Sequence, residues 1–195
     1  MLRAPVSRCG FTLIETLVVG TIFISMSLIA TLWLTGVSDL WWTTTTQAEM
    51  RTASQLAINR LLDELRSGTR TAAGSPPNAV IPAAPNNTTV TFYLPADLDP
   101  LDGNTTIVDS IGNIEWANLA PIQYVFDVPS RQLRRVQGGN TIVLANDVQS
   151  VTFEDALINA ALSQNEMRIT LTLQRPTPQG RTISATTVEI VKLRN

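Results

Sequence analysis

Residues 8–38 read RCGFTLIETLVVGTIFISMSLIATLWLTGVS, and this stretch determines most of what the sequence predicts. It contains 23 consecutive residues without a formal charge, from Thr16 to Ser38. A helix rises about 1.5 Å per residue, so the uncharged run spans roughly 34 Å, and the hydrocarbon core of a bilayer is about 30 Å thick. The run therefore predicts a membrane-spanning helix.

The residues on either side of the run predict its orientation. Arg3 and Arg8 precede it without any acidic residue, and Trp33, Trp41 and Trp42 lie at and beyond its C-terminal end. Indole rings favour the membrane–water interface, and basic flanking residues stay on the cytoplasmic side. We therefore expect a cytoplasmic N-terminus and export of the chain that follows the run.

A cleavable secretory signal peptide is the alternative interpretation of this run. The apolar part of such a peptide is about 7–15 residues long and ends in a small-residue cleavage site. Here the run is longer and continues into Trp and Thr without an A-x-A pattern. A lipoprotein cysteine would follow the apolar run, but Cys9 precedes it. These features favour a retained membrane anchor.

Glu15 lies inside the apolar sequence, where a carboxylate is costly. Acidic residues at the centre of a membrane helix cost about 2.5–3.5 kcal/mol on insertion scales, so they are usually paired and functional. A capping box is the structural alternative, because Thr12 and Glu15 have the S/T-x-x-E spacing. That spacing explains a helix start, but it does not explain why the helix should begin within an apolar run.

The segment Arg8–Glu15, RCGFTLIE, resembles the processing site of type IV prepilins and type II secretion pseudopilins. The resemblance implies that a prepilin peptidase cuts between Gly10 and Phe11 and that the new amine of Phe11 is methylated. Glu15 then becomes the fifth residue of the mature chain. In the assembled filament its carboxylate would neutralise the amine of a neighbouring subunit, which makes two charges tolerable in a low-dielectric core and fixes their register.

Three departures from that family pattern refine the resemblance. Cys9 occupies the position before the glycine, where a basic residue is common, and Leu32 stands where major pilins often carry a proline. A chain that lost Cys9 with its leader would contain no cysteine, so it could not form the C-terminal disulfide of many major pilins. The missing disulfide and the missing proline favour a minor pilin or a pseudopilin.

The composition of the chain excludes several enzyme mechanisms. The sequence has no histidine, one cysteine (Cys9) and one lysine (Lys192). An internal disulfide, a His-ligated or multi-Cys zinc site and nucleophilic catalysis with an imidazole base are therefore excluded. With 14 basic and 16 acidic residues, the chain has no overall electrostatic preference for nucleic acid. We expect no catalytic residues, no cofactor, no metal and no nucleic-acid partner.

Residues 39–70 are predicted to continue the helix as an amphipathic segment. Apolar residues recur there at helical spacing, and they are Met50, Ala53, Ala57, Ile58, Leu61, Leu62 and Leu65. Charged residues fall largely on the other faces, and they are Arg51, Arg60, Asp63, Glu64 and Arg66. The run Thr43–Thr46 weakens helix propensity, and Gly68 is a stop signal. A helix from Phe11 to Arg66 would be about 84 Å long.

The remainder of the chain predicts a β-rich head. Residues 71–88 are rich in Pro, Ala, Gly and Asn and form a predicted linker, and residues 89–195 contain short alternating runs. The predicted strands are Thr89–Leu94, Ile122–Val128, Gln132–Val136, Thr141–Leu144, Val148–Phe153, Met167–Gln174 and Thr182–Leu193. Hairpin connectors are predicted at Gly138-Gly139-Asn140 and Thr177-Pro178-Gln179-Gly180. A helix followed by antiparallel strands is an α+β architecture.

The predicted strands also resemble the heads of J-type pseudopilins and W-type minor pilins. This second resemblance rests on Gln123–Phe126, Leu133–Val136, Val148, Val151–Phe153 and Ile190–Asn195. It implies the pilin fold, in which a long N-terminal helix packs against an antiparallel sheet.

Two clusters in the head can each be interpreted either as a binding site or as a solvated surface. Asp97–Asn104, DLDPLDGN, gathers oxygen ligands that suit Ca²⁺, but its spacing departs from an EF-hand and a solvated turn is favoured. Arg131, Arg134 and Arg135 have the charge to meet DNA phosphates, but no aromatic residues are interleaved and a solvated strand face is favoured.

The adjacent carboxylates of Asp63-Glu64 and Glu154-Asp155 are expected to diverge, so neither pair predicts an acid–base site.

Together these features predict a non-enzymatic filament subunit with five segments: a cleaved leader (1–10), a membrane and assembly helix (11–38), an amphipathic helix (39–70), a linker (71–88) and a head (89–195). The expected function is that of a minor pseudopilin in type II secretion, anchored in the bacterial inner membrane with a periplasmic or filament-borne head. Its expected partners are the prepilin peptidase, other pilin or pseudopilin subunits and the inner-membrane assembly platform. The alternatives are a minor type IV pilin serving motility, adhesion or DNA uptake, and a membrane-anchored binding domain unrelated to filaments.

Overall fold

The computed structural model describes residues 12–67, 79–82, 85–95, 107 and 121–193. These residues form one helix and seven strands, which confirms the predicted α+β class. The elements are α1 (Leu13–Ser67), β1 (Thr89–Phe92), β2 (Ile122–Asp127), β3 (Gln132–Gln137), β4 (Asn140–Ala145), β5 (Val148–Asp155), β6 (Glu166–Pro176) and β7 (Thr182–Lys192). The chain divides into two compact units, residues 1–44 and residues 45–195, which we describe separately.

The N-terminal unit is described from residue 12 onwards, and from Leu13 it is the first part of α1. Its large apolar side chains are exposed along the helix, with Phe23 at 72% and Leu32 at 65% of their maximum exposure. The helix continues without a break through Thr43–Thr46. Thr43 and Thr44 donate their hydroxyl hydrogen bonds to the Leu40 carbonyl one turn earlier, so these hydroxyls bond within the helix instead of interrupting it.

The C-terminal unit contains the rest of α1, whose apolar stripe is buried as the sequence predicts. The stripe residues at or below 6% exposure are Met50, Ala57, Ile58, Leu61, Leu62 and Leu65. The charged side chains of Arg51, Arg60 and Asp63 are exposed, also as predicted. Glu64 is an exception, because its side chain is only 18% exposed and is bonded to the sheet.

The strands form two antiparallel sheets in chain order. The first sheet has the order β1-β2-β3-β4 and the second has the order β5-β6-β7. The turn between β3 and β4 uses Gly138 and Gly139, both with positive φ (55° and 83°), which suits a two-residue hairpin. Gly180, with φ 78°, lies in the β6–β7 connector. Both predicted hairpin connectors are therefore confirmed.

The hydrophobic core lies beneath the helix stripe and takes side chains from both sheets. Along β6, Ile169, Leu171 and Leu173 are buried at alternate positions, as predicted. In the first sheet the rings of Phe92 and Tyr124 stack with centroids 5.9 Å apart. All seven predicted strands are present, and β6 is longer than its prediction because its pairing with β7 continues from Glu166 to Pro176.

Two hydrogen-bonded bridges join β5 to segments that adjoin strands of the first sheet. Asn87 accepts a hydrogen bond from the Phe153 N–H at 2.8 Å through its carbonyl, and its side-chain amide donates to the Phe153 carbonyl at 3.3 Å. The Val148 N–H donates to the Arg131 carbonyl at 2.9 Å. One edge of β5 is therefore tied to residues just before β1 and just before β3.

Candidate functional site

Glu15 lies in the first turn of α1, three residues after Thr12. The Glu15 N–H donates to the Thr12 carbonyl at 3.0 Å and to the Thr12 hydroxyl at 3.4 Å, so Thr12 caps the helix. The return bond of a capping box, from the Thr12 N–H to the Glu15 carboxylate, is not formed. The Glu15 side chain is exposed, and it makes no hydrogen bond or ion pair with the described part of the chain. The cap explains where the helix starts, but it leaves the carboxylate itself available.

The predicted cleavage site at Gly10 and Phe11 lies outside the described residues, as do Arg3, Arg8 and the acidic segment Asp97–Asn104, which is expected to be a solvated turn. Among the predicted site residues, Glu15 is therefore the one whose surroundings are described.

An apolar surface follows Glu15 along α1. By length and composition, this helix is sufficient to cross a membrane, and it is the one such helix in the described ranges. Its most apolar window has no buried residues. Large apolar side chains between Leu13 and Trp42 are exposed by 46% or more, including Phe23, Ile29, Trp33 and Trp41. Lipid or another protein would have to cover this surface to keep it from water.

Five hydroxyl groups on this part of α1 are bonded within the helix. Thr16, Thr21, Ser25, Thr31 and Thr35 each donate to a carbonyl three or four residues earlier, at 2.8 or 2.9 Å. A hydroxyl that is satisfied in this way can enter hydrocarbon without an unpaired polar group. The arrangement is compatible with a lipid environment around residues 16–38.

Comparison of the chain with models of protein families, with curated proteins and with solved structures found no match.

The C-terminal unit has a polar cluster that the sequence interpretation missed. Glu64 of α1 accepts hydrogen bonds from the Tyr124 hydroxyl at 2.8 Å and from Arg135 Nε at 2.9 and 2.8 Å. Arg135 also donates to the Gln137 side chain at 2.7 Å, and Arg60 Nε lies 4.0 Å from Glu64. Because Tyr124 is on β2 and Arg135 is on β3, the cluster fixes the helix to two strands of the first sheet.

The surroundings of the cluster shift the pKa values of its members. Burial, reinforced by the hydrogen bond to the Glu64 carboxylate, raises the pKa of Tyr124 far above its usual value. Burial lowers the pKa of Arg135, but the hydrogen bond and the charge of Glu64 outweigh it, and the pKa of Arg135 is raised. The phenol is therefore a neutral donor to Glu64, and Arg135 keeps its positive charge.

Two further polar contacts hold α1 to the second sheet. Arg175 of β6 donates to Glu49 at 3.0 Å and to Asp147 at 2.8 Å. Ser54, which is fully buried, lies 2.8 Å from the Thr187 hydroxyl on β7. The Glu49–Arg175 and Ser54–Thr187 contacts each link residues more than 120 positions apart across the helix–sheet interface. They fix the position of the helix against the second sheet.

A sequence signal for two of these residues exists but is easily overlooked. Ala57, Leu61 and Glu64 follow the spacing i, i+4, i+7, and Ser54 stands four residues after Met50 on the same stripe. A polar residue on a buried stripe requires a partner inside the protein. The interpretation of Glu64 as a solvent-facing charge is therefore wrong, because the residue belongs to the stripe.

The three arginines considered as DNA-phosphate ligands have partners within the chain. Arg131 Nη2 donates to the Gln174 carbonyl at 2.6 Å, and Arg134 Nη1 lies 2.9 Å from the Asp127 carboxylate. Arg135 is 11% exposed and bonded to Glu64. Interpretation of the three as a solvated strand face is wrong for Arg135, since strand alternation directs it towards the helix.

The adjacent carboxylates diverge as the sequence predicts. Asp63 pairs with Arg66 at 3.2 Å at the surface, whereas Glu64 turns towards the sheet. Glu154 binds Arg168, whose Nε lies 2.7 Å from it, and Asp155 instead accepts N–H bonds at the start of the next loop. Among the described residues, no group of three acidic, His or Cys side chains is placed to hold a metal ion.

Proposed function

We propose that the chain is a non-enzymatic subunit of a pilus-like filament, specifically a minor pseudopilin of a type II secretion system with the pilin fold. The observation that supports this most directly is the exposed apolar part of α1, with a single exposed carboxylate, Glu15, in its first turn. The segment Arg8–Glu15 adds the resemblance to a prepilin processing site. In this proposal the C-terminal unit is the exported head.

Maturation would convert the start of α1 into a pairing site. Cleavage between Gly10 and Phe11 releases a leader with two arginines and exposes a positive amine four residues before Glu15. Methylation of that amine keeps its charge. An amine and a carboxylate on different subunits are each costly in an apolar interior, but as a hydrogen-bonded pair they are tolerated and set the axial register.

Assembly would transfer the apolar surface of α1 from lipid to neighbouring helices. Both environments are apolar, so the transfer itself provides little hydrophobic free energy. Selectivity then depends on close packing and on the Glu15–amine pair, which explains why one charge is retained in an apolar sequence.

The N-terminus of the purified protein tests the proposal. We expect mass spectrometry to find a chain that begins at a methylated Phe11 when a prepilin peptidase is coexpressed. Gly10→Leu should block the cut, because the peptidase would require the small residue, whereas Cys9→Ser should leave it intact. A chain that retains Met1 or is cut elsewhere would contradict the family assignment.

The assembly role of Glu15 has a test of its own. Glu15→Leu should be processed normally but should be absent from sheared filaments, since no carboxylate remains to meet the amine of a neighbour. Thr16→Leu is the matched control, because it adds the same side chain one residue later and should enter filaments. Normal incorporation of Glu15→Leu would refute the pairing role.

Deletion of the gene distinguishes secretion from piliation. We expect loss of exported proteins from the medium while type IV pili remain, with recovery on complementation. Intact secretion together with loss of pili or DNA uptake would overturn the type II assignment and identify a minor type IV pilin.

A further inference from the structure

The strand β7 is one of the two outer strands of the second sheet, and its outer edge is unpaired within the described residues. Its 11 residues, TISATTVEIVK, contain no proline or glycine and have high β-propensity. Such an edge presents a row of main-chain donors and acceptors to which another extended chain can add.

The register of the β6–β7 pair identifies which main-chain groups face outwards. The Leu193 N–H donates to the Asn165 carbonyl at 2.8 Å, so these two residues face each other as a hydrogen-bonded pair. Hydrogen-bonded and non-hydrogen-bonded pairs alternate along an antiparallel ladder. The odd-numbered residues of β7 therefore bond to β6, and the even-numbered ones direct their N–H and carbonyl groups away from it.

The even-numbered residues of β7, whose main-chain groups point away from β6, include two with exposed apolar side chains. Val188 and Ile190 are 52% and 55% exposed, and they lie on the same outer face as the hydroxyls of Thr172 and Thr186, which are 3.1 Å apart. An added strand could cover both apolar side chains while it completes the ladder.

Glu189 determines what kind of strand can be added. It lies on the face of β7 where Ala185 and Val191 are buried, yet it remains exposed and makes no ion pair or hydrogen bond with the described residues. A strand laid along the edge would cover this carboxylate. Coverage by an apolar residue would be unfavourable, whereas a basic residue directly opposite would neutralise it.

Pairing with β7 of a second copy does not supply that basic residue from within Thr182–Lys192. Opposite residues in a two-fold antiparallel pair share a face, so Glu189 would meet only odd-numbered residues of β7, and none of those is basic. The other outer strands, β1, β4 and β5, contain no lysine or arginine in their sequences TVTF, NTIVLA and VQSVTFED. Pairing between these described outer strands of two copies therefore leaves Glu189 without a counter-charge.

We propose that the free edge of β7 binds an extended strand of a different protein chain, which places a basic residue opposite Glu189 and apolar residues opposite Val188 and Ile190. The partner extends the second sheet by main-chain hydrogen bonds, and Glu189 gives the contact its selectivity. This inference is independent of the filament proposal, because it involves none of Gly10, Phe11 and Glu15.

A peptide probe tests the edge directly on the full chain in detergent micelles. The probe is the capped nonapeptide Thr-Val-Thr-Val-Lys-Val-Thr-Val-Thr, and its partner differs only by a central Glu. By NMR hydrogen exchange, the lysine peptide should protect the amides of Ser184, Thr186, Val188 and Ile190. It should bind about tenfold more tightly than the glutamate peptide, because a cross-strand attraction replaces a repulsion.

Three variants distinguish the main-chain contribution from the side-chain contribution. Val188→Pro removes an outward N–H and should abolish binding, whereas Val188→Thr keeps that N–H and should retain it. Glu189→Lys should reverse the preference between the two peptides. The reversal is informative even if Val188→Pro fails to fold.

Two results would overturn the proposal. One is the absence of protection at the four amides with the lysine peptide, or equal affinity for both peptides in the parent chain and in Glu189→Lys. The other is protection that grows with protein concentration without any peptide, which would make the edge a self-association site. Failure here would leave the N-terminal processing test unaffected.

Discussion

The two parts of α1 share one backbone geometry but differ in where their apolar side chains lie. Leu32, before Thr44, is 65% exposed, while Leu61, after it, is fully buried. The first part is apolar on all sides, whereas the second interrupts its apolar residues with charges at helical spacing. A helix that packs on its own chain has a polar face, whereas a helix that must be covered by lipid or by another protein lacks one. The number of apolar residues distinguishes the two parts less well.

The two parts of α1 also differ in whether their glutamate carboxylates have partners within the described chain. Glu64 is bonded to Tyr124 and Arg135 inside the C-terminal unit, and Glu15 has no such partner in the described chain. Under the proposed function, the counter-charge of Glu15 comes from another subunit. The same residue type can therefore stabilise a fold at one position and an assembly at another.

The largest expected contrast lies between the leucines of the two parts. Leu61→Ala should lower the free energy of unfolding of the C-terminal unit by about 2–5 kcal/mol, because it leaves a cavity under the helix stripe. Leu32→Ala should leave it unchanged. Denaturant titration in detergent measures both, and equal losses would show that the two parts are not distinct.

The polar contacts provide the next contrast. Glu64→Gln leaves the Arg135 charge nearly buried and should cost about 2–3 kcal/mol of unfolding free energy. Asp63→Asn, one residue earlier, removes an exposed pair with Arg66 and should cost less than about 1 kcal/mol. If Asp63→Asn were the more damaging variant, the assignment of Glu64 as the residue that fixes the helix would be wrong.

Alkaline pH tests the same cluster through Tyr124. Its pKa is raised in the folded state, so above the usual tyrosine value near 10 the unfolded chain loses a proton that the folded chain keeps. Stability should therefore fall as the pH rises above about 10, by up to about 1.4 kcal/mol per pH unit. Tyr124→Phe should remove this part of the slope in denaturant midpoints measured across that range. An unchanged slope would contradict the shift.

The smallest contrast concerns hydroxyl groups on the two parts. Ser54→Ala breaks the buried bond to Thr187 and should lower the unfolding free energy by about 1 kcal/mol. Thr31→Ala removes a hydroxyl that is bonded only to its own helix and should leave the unfolding of the C-terminal unit unchanged. Thermal unfolding of the two variants side by side would measure the difference, and an equal shift would argue against the Ser54–Thr187 contact.

Most of the architecture could be predicted because it depends on local periodicity. The stripe from Met50 to Leu65, the alternation of Ile169, Leu171 and Leu173, and the glycines of the β3–β4 turn are each visible within a short window of sequence. The strand order was not predicted: the strands follow chain order within each sheet, but β4 and β5 are neighbours in the chain and belong to different sheets, a division that local periodicity does not show.

The contacts between distant elements could not be predicted in the same way. Periodicity placed Tyr124 and Arg135 on strands, but no local pattern shows that both meet Glu64. The edge of β7 that no described residue pairs with likewise becomes visible only when the strand order is known. Glu15 is the reverse case, because its sequence context makes it unusual while the described chain gives it no partner.

The Ser54–Thr187 contact has a consequence for how the protein is made. Its two residues are 133 positions apart, and Thr187 belongs to β7, which emerges during synthesis after all the other described strands. The helix stripe is synthesised long before β7 can contact it, so folding of the C-terminal unit is completed late and through long-range closure. A nascent chain that stalls before residue 182 would leave part of that stripe uncovered and exposed to aggregation or proteolysis.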